Sequence, residues 1–205
     1  MSTMAEFAAQ VASTEPVPAG GSVAAVTGSL AAALVEMIGK VAVAKAKSES
    51  PALAQLIEQA AHLRERLLVL ADEDTRAFRA VLDARRDTSG GEAERDARIR
   101  RAWRGAVQVP ADVVRLSREI ALLARRAAQE GPASTLGDAV MAALLAAAVG
   151  AGSHMNLRLN LEAAGRPEDM RVLANDTEVL LRDTQRAASE TRLPAEERLT
   201  AKRRG

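Results

Sequence analysis

The longest regular pattern of apolar positions runs Leu53, Leu56, Ala60, Leu63, Leu67, Leu70, Asp74, Ala77, Val81, in alternating steps of three and four. Such spacing turns one face of a long helix into a packed seam over four heptads. Pro51 suits the first turn of that helix with Ser50 as its cap, and the helix is expected to reach about Arg86. Asp87-Thr-Ser-Gly-Gly91 then breaks it. Elsewhere the pattern predicts a short first helix over Thr3–Ala12 and a second from a Ser22 cap to about Lys47. A fourth spans about Glu92–Val107, and Pro110 either kinks it or starts a fifth that ends at Glu130. Ser134 or Thr135 caps a sixth, apolar on all sides from Ala139 to Val149 and therefore the expected central helix. A seventh covers about Pro167–Ala188.

No run alternates polar and apolar over strand length, so the expected fold is all-α: a bundle of about seven helices with long antiparallel members. Residues 1–190 read as one helical domain, and 191–205 as a charged, loose tail. One chain would struggle to cover both the seam and the apolar sixth helix, which small residues (Gly137, Gly150, Gly152) open to close approach. A homodimer formed through helix packing is expected.

Composition narrows the chemistry. The chain has 205 residues, no cysteine, two histidines, one tryptophan and a formal net charge of +1. Disulfides, thiolate metal sites and Cys nucleophiles are excluded, and His62 and His154 lack ligand spacing, so no metal is expected. The charge and the scarcity of aromatics argue against nucleic-acid binding. The charge-poor runs Pro16–Val35 and Ala139–Ser153 are not read as membrane spans. Gly, Ser and Thr dilute the first, and the second is shorter than ~18 residues. The first fifteen residues lack a basic n-region and an apolar h-region, so a cytoplasmic location is expected. His154 is expected on the helix surface or at a dimer contact rather than in catalysis.

Four places depart from what packing alone requires. Pro16-Val-Pro-Ala-Gly-Gly-Ser22 opens a helix that stays uncharged until Glu36. Two glycines there let a ligand come close, and a helix N-terminus presents free N–H groups, although many helices begin this way without a ligand. Asp74 is the one charged member of the seam. It either meets an arginine where the seam opens or is a functional acid, and Phe78 one turn on favours a seam still buried there. Asp138 stands before fifteen uncharged residues, where a helix dipole alone could explain it. Asn156 and Asn160 lie one turn apart and either satisfy backbone or read a polar heterocycle. Finally, only Lys40, Lys45, Lys47 and Lys202 among the 28 basic residues are lysine. The cluster of three is either compositional or a site that needs a compact ammonium.

In order along the chain, these segments resemble the cyclodeaminase/cyclohydrolase family of folate one-carbon enzymes. Pro16-Val-Pro-Ala-Gly-Gly-Ser-Val-Ala-Ala25 is similar to the family's Pro-Gly-Gly-Gly-Ser loop and helix start. Lys45 stands where the family carries a lysine near the end of that helix. Asp72-Glu-Asp-Thr-Arg-Ala-Phe78 resembles Asp-x-Asp-Ala-x-Ala-Phe, and Asn156-Leu-Arg-Leu-Asn-Leu161 resembles Asn-Val-x-Ile-Asn-Leu. Ala19 replaces the loop's first glycine. Gly131-Pro-Ala-Ser-Thr-Leu-Gly-Asp138 stands where the family tends to read Gly-Asn-x-Asn-Ala-x-Ser-Asp, so Pro132 and Gly137 are departures.

The resemblance implies a helical dimer that binds a reduced folate near its interface and needs no cofactor beyond that substrate. Hydrolysis of 5,10-methenyltetrahydrofolate to 10-formyltetrahydrofolate is the expected reaction. Release of ammonia from formiminotetrahydrofolate, or a catalytically diverged folate-binding relative, is the alternative. Asp74 would be general base and acid, Lys45 would stabilise or shuttle charge, and Asp138 would bind the pterin edge or orient Asp74. Gly20, Gly21, Ser22, Asn156 and Asn160 would contact the substrate.

Overall fold

The computed structural model describes residues 3–46 and 50–201, so Lys47 and Ser48 lie outside the described residues. Among the described residues six α-helices follow in order: α1 (Met4–Val11), α2 (Gly20–Ala46), α3 (Pro51–Arg86), α4 (Glu92–Glu130), α5 (Leu136–Ala163) and α6 (Glu168–Ala201). A single 3₁₀ turn, Ala133–Thr135, leads into α5. Helices α2, α3, α4 and α5 pack around a common core, while α6 lies along α4 and α5. Leu63, Leu67 and Leu70 of α3 meet Val113 and Ile120 of α4 and Val149 of α5 in that core.

The seam behaves as its spacing requires. Leu56, Ala60, Leu63, Leu67, Leu70 and Val81 are all buried. Ser50 caps α3 by accepting the Leu53 N–H at 3.2 Å, ahead of Pro51 in the first turn.

Three expected boundaries are corrected. The predicted fourth and fifth helices are one helix, α4, with Pro110 inside it. Proline cannot donate to the carbonyl four residues back, which leaves Ala106 O without its helical partner. The side chain of Asn160 on α5 supplies the missing donor, its amide nitrogen 2.7 Å from Ala106 O. A neighbouring helix therefore repairs the proline's defect, and α4 continues.

The second correction concerns Ser22. Helix α2 begins at Gly20, with the Val23 N–H bonding Ala19 O at 3.0 Å. Ser22 therefore sits in the first turn rather than at the cap. Ala19 is not among the residues with positive φ, so replacing a glycine there carries no backbone strain. Helix α6 continues past Ala188 to Ala201, and Thr191 is buried with its hydroxyl on Ala187 O.

Candidate active site

The first turn of α2 ends against the side of α3, and the contact centres on Asp74. Ser22 is buried, and its Oγ lies 2.9 Å from Asp74 Oδ2, 3.2 Å from Thr75 Oγ1 and 3.2 Å from Ala71 O. The hydroxyl has one proton, which the shortest contact directs to the carboxylate. The Ser22 backbone N–H also hydrogen-bonds Asp74. A carboxylate from another helix thus takes a donor that the first turn of α2 leaves free, at the positive end of its dipole.

Gly21 makes this possible. A Cβ there would lie 2.1 Å from Asp74 Oδ1, so no other residue leaves room for the carboxylate. A Cβ on Gly20 would lie 3.6 Å from the side-chain nitrogen of Asn156, so α5 approaches the same turn from its other side. Gly20, Gly21, Ser22, Asp74 and Asn156 therefore converge at one end of the bundle. Thr75 joins them, unforeseen in the sequence because it lies off the seam and outside any ligand spacing.

Burial pushes the Asp74 carboxyl above the usual aspartate range, and the two Ser22 hydrogen bonds partly offset this. Among the described residues no cation is paired with it. An acid kept basic by burial, with one face toward a helix start, has the properties of a group that takes and returns a proton.

The remaining expected residues lie elsewhere. Lys45 is exposed at the far end of α2, with Nζ 2.7 Å from Ser134 Oγ. From Gly21 to Lys45 the helix spans about 36 Å at 1.5 Å per residue. Helices α2 and α5 are antiparallel, since Gly20 faces Asn156, Gly28 faces Val149, and Lys45 meets Ser134. Asp138, in the first turn of α5, accordingly lies at the Lys45 end. Pro132 and Gly137 belong to that end too. Within this chain, Lys45 and Asp138 do not reach Asp74.

Asn160 spends its amide on Ala106 O, which makes it a brace of α4. His154 is buried rather than on the surface, its Nδ1 3.1 Å from Thr177 Oγ1 on α6. Burial lowers its pKa, in keeping with a neutral packing histidine. Among the described residues, no three His, Cys, Asp or Glu side chains gather as a metal site.

Comparison with known proteins agrees with this architecture. The family model for formiminotransferase-cyclodeaminase matches residues 3–174. The chain is 33% identical to a methenyltetrahydrofolate cyclohydrolase of Methylorubrum extorquens over 163 residues, covering 77% of this chain and 78% of that protein. It is 30% identical to the formimidoyltransferase-cyclodeaminase of Rattus norvegicus over 161 residues, 76% of this chain but only 30% of that longer protein. The fold matches the crystal structure of a formiminotetrahydrofolate cyclodeaminase from Thermotoga maritima with a TM-score of 0.78 and 25% identity, covering 93% of this chain and 95% of that one. The chain is an all-helical member of a folate one-carbon enzyme family. It belongs to the formiminotransferase-cyclodeaminase family.

Proposed function

We propose that this protein hydrolyses 5,10-methenyltetrahydrofolate to 10-formyltetrahydrofolate, with Asp74 as its proton-transfer group. The observation that carries the reading is the half-buried carboxyl of Asp74, with no cation paired to it among the described residues and held against Gly21 by Ser22. The ionised carboxylate removes a proton from water as its oxygen bonds to the cationic amidine carbon. The resulting acid returns the proton to N5 as the carbon–N5 bond breaks, and the hydroxyl proton passes to solvent as the formyl C=O forms. Free N–H groups at the start of α2 and the Asn156 amide stand where they can hold polar edges of the pterin. Cyclodeamination uses a similar tetrahedral centre. Hydrolysis is preferred because the cyclohydrolase relative is 33% identical, against 30% and 25% for the two cyclodeaminases. Loss of methenyltetrahydrofolate absorbance on adding the protein tests the reading. Turnover of formiminotetrahydrofolate with ammonia release, and none of the methenyl compound, would overturn it.

The same reading includes a homodimer. Helices α2 and Ala133–Ala163 are apolar enough by length and composition to cross a bilayer, yet only 50% and 44% of their most apolar windows is buried. The exposed remainder includes Leu30 on α2 and Met141, Leu144, Met155 and Leu159 on α5. Two adjacent antiparallel helices thus each carry exposed apolar side chains, and a second copy laid over a face formed by both would cover them. A two-fold axis in that face and across the helices would set the Asp74 end of each protomer against the Lys45 end of its partner. That arrangement would supply Lys45 and Asp138 to Asp74 from the other chain. Mixed Asp74→Asn and Lys45→Met chains, each inactive alone, should then recover about a quarter of wild-type turnover, since half the dimers carry one intact site. No recovery, in a mixture shown to form heterodimers, refutes the shared site.

A further inference from the structure

Ser22 does not meet Asp74 alone. Its Oγ lies 3.2 Å from Thr75 Oγ1 and 3.2 Å from Ala71 O, and either hydroxyl of the Ser22–Thr75 pair can be the donor. Thr75 Oγ1 is 3.5 Å from Ala71 O, a poor outlet for its proton beside the shorter contact to Ser22. Two hydroxyl protons are thus shared among one carboxyl, one carbonyl and the two hydroxyl oxygens. Helix formation gives no reason for a threonine here. Thr75 stands well inside α3, where alanine, the residue of the family pattern given above, is the better helix former.

We infer that Thr75 is a positioning residue for the Asp74 carboxylate, acting through a hydroxyl chain that runs from Thr75 to Ser22 to Oδ2 and favours the ionised, water-activating form. The inference rests on the proton-transfer reading of Asp74 above and deepens it. With Asp74 ionised, Thr75 donates to Ser22 and Ser22 donates to the carboxylate, each bond strengthening the next. With Asp74 protonated, Oδ2 donates to Ser22 Oγ, and the Ser22 hydroxyl turns to Ala71 O. Thr75 and Asp74 then compete for the same oxygen, so the threonine supports the ionised form more than the neutral one. The charged neighbours leave this chain in control. Helix α2 carries no charge before Glu36, and α1 faces the cavity beside Thr75 with neutral side chains. On α3, Asp72, Arg76 and Arg79 line that cavity. On α4, Arg98 and Arg101 border Ala77, and Asp112 acts on Arg66. On α5, Asn156 is neutral and Arg158 acts on His154 and Glu162. Burial and the Ser22 hydrogen bonds, rather than these charges, move the Asp74 carboxyl.

The test is the pH dependence of kcat in Thr75→Val, which keeps the shape without the hydroxyl, and in Thr75→Ser, which keeps the hydroxyl. Without the chain the carboxylate is less well held, so the acid limb should move to higher pH. Turnover of Thr75→Val should fall about threefold further on that limb than on the alkaline plateau, and Thr75→Ser should follow wild type. Thr75→Ala, which cannot overpack, should repeat the valine result. An acid limb that stays in place, moves to lower pH, or moves equally in the serine variant overturns the inference. Should wild type not turn over 5,10-methenyltetrahydrofolate, the catalytic reading fails by itself. NMR of protein labelled with carbon-13 at the aspartate carboxyls then decides, the Asp74 signal being identified by its loss in Asp74→Asn. Titration of that signal at higher pH in Thr75→Val than in wild type and Thr75→Ser sustains the inference, and coincident titrations overturn it.

Discussion

Two acids enter the interior of this bundle from different helices, and their surroundings are opposite. Glu36 of α2 is buried, with Oε1 2.6 Å from Lys40 Nζ and Oε2 2.8 Å from Arg64 Nε. The Lys40 and then the Arg64 hydrogen bonds hold its carboxyl below the usual glutamate range. Asp74 of α3 has a hydroxyl, a backbone N–H and a glycine around it, and burial raises it. A paired acid is fixed in its ionised form and cannot exchange a proton near neutral pH. An unpaired one at a helix start can do so, at some cost in stability. The first joins α2 to α3, and the second is positioned for chemistry.

The comparison breaks most directly at Asp74. Asp74→Asn keeps the volume and should lower turnover by about 10²–10⁴ while the protein stays folded. Because its folded pKa is raised, the stabilising effect of Asp74 is present below the ordinary aspartate value. It is lost as pH rises through the raised value. The variant should therefore be the more stable protein at neutral pH, and thermal melts across pH should lose that slope. Turnover in wild type should rise with pH through the same raised pKa, since the base must be ionised. A substituted protein that retains full turnover would leave Asp74 no role in the reaction.

Gly21→Ala should come next in effect. The new methyl displaces the carboxylate from Ser22, so turnover should fall by roughly 10² with about 1–3 kcal/mol lost to overpacking. Turnover and stability measured together check this, and wild-type kinetics would mean the carboxylate need not sit there.

Glu36→Gln should cost about 1–3 kcal/mol with turnover nearly unchanged, chiefly through Arg64, because the Lys40 arm is exposed and contributes little. With its folded pKa lowered, the contribution of Glu36 is present above the ordinary glutamate value and is lost as pH falls through the lowered one. Denaturant midpoints at neutral and acid pH should therefore converge for wild type and variant. A large kinetic effect without a stability loss would contradict the division of roles. Smallest of all, Asn160→Ala should cost about 1 kcal/mol by orphaning Ala106 O, with kinetic changes no larger than its loss of folded protein. A selective rise in KM would instead return Asn160 to the substrate.

The sequence by itself determined the helices, because a 3.6-residue repeat of apolar positions is a local property of the chain. The α3 seam, the Ser50–Pro51 start and the break after Arg86 could all be read from spacing and turn chemistry. It also marked Asp74, since an acid in an apolar seam violates a local rule. Pro110 misled for the same reason, because the donor that rescues α4 comes from Asn160, 50 residues downstream. Only the tertiary structure could decide which marked residues meet. Gly21 and Asp74 are 53 positions apart and touch, while Lys45 shares a helix with Gly21 and lies about 36 Å away. Helix rigidity fixes distance along each element, and the antiparallel packing of those elements decides which ends come together.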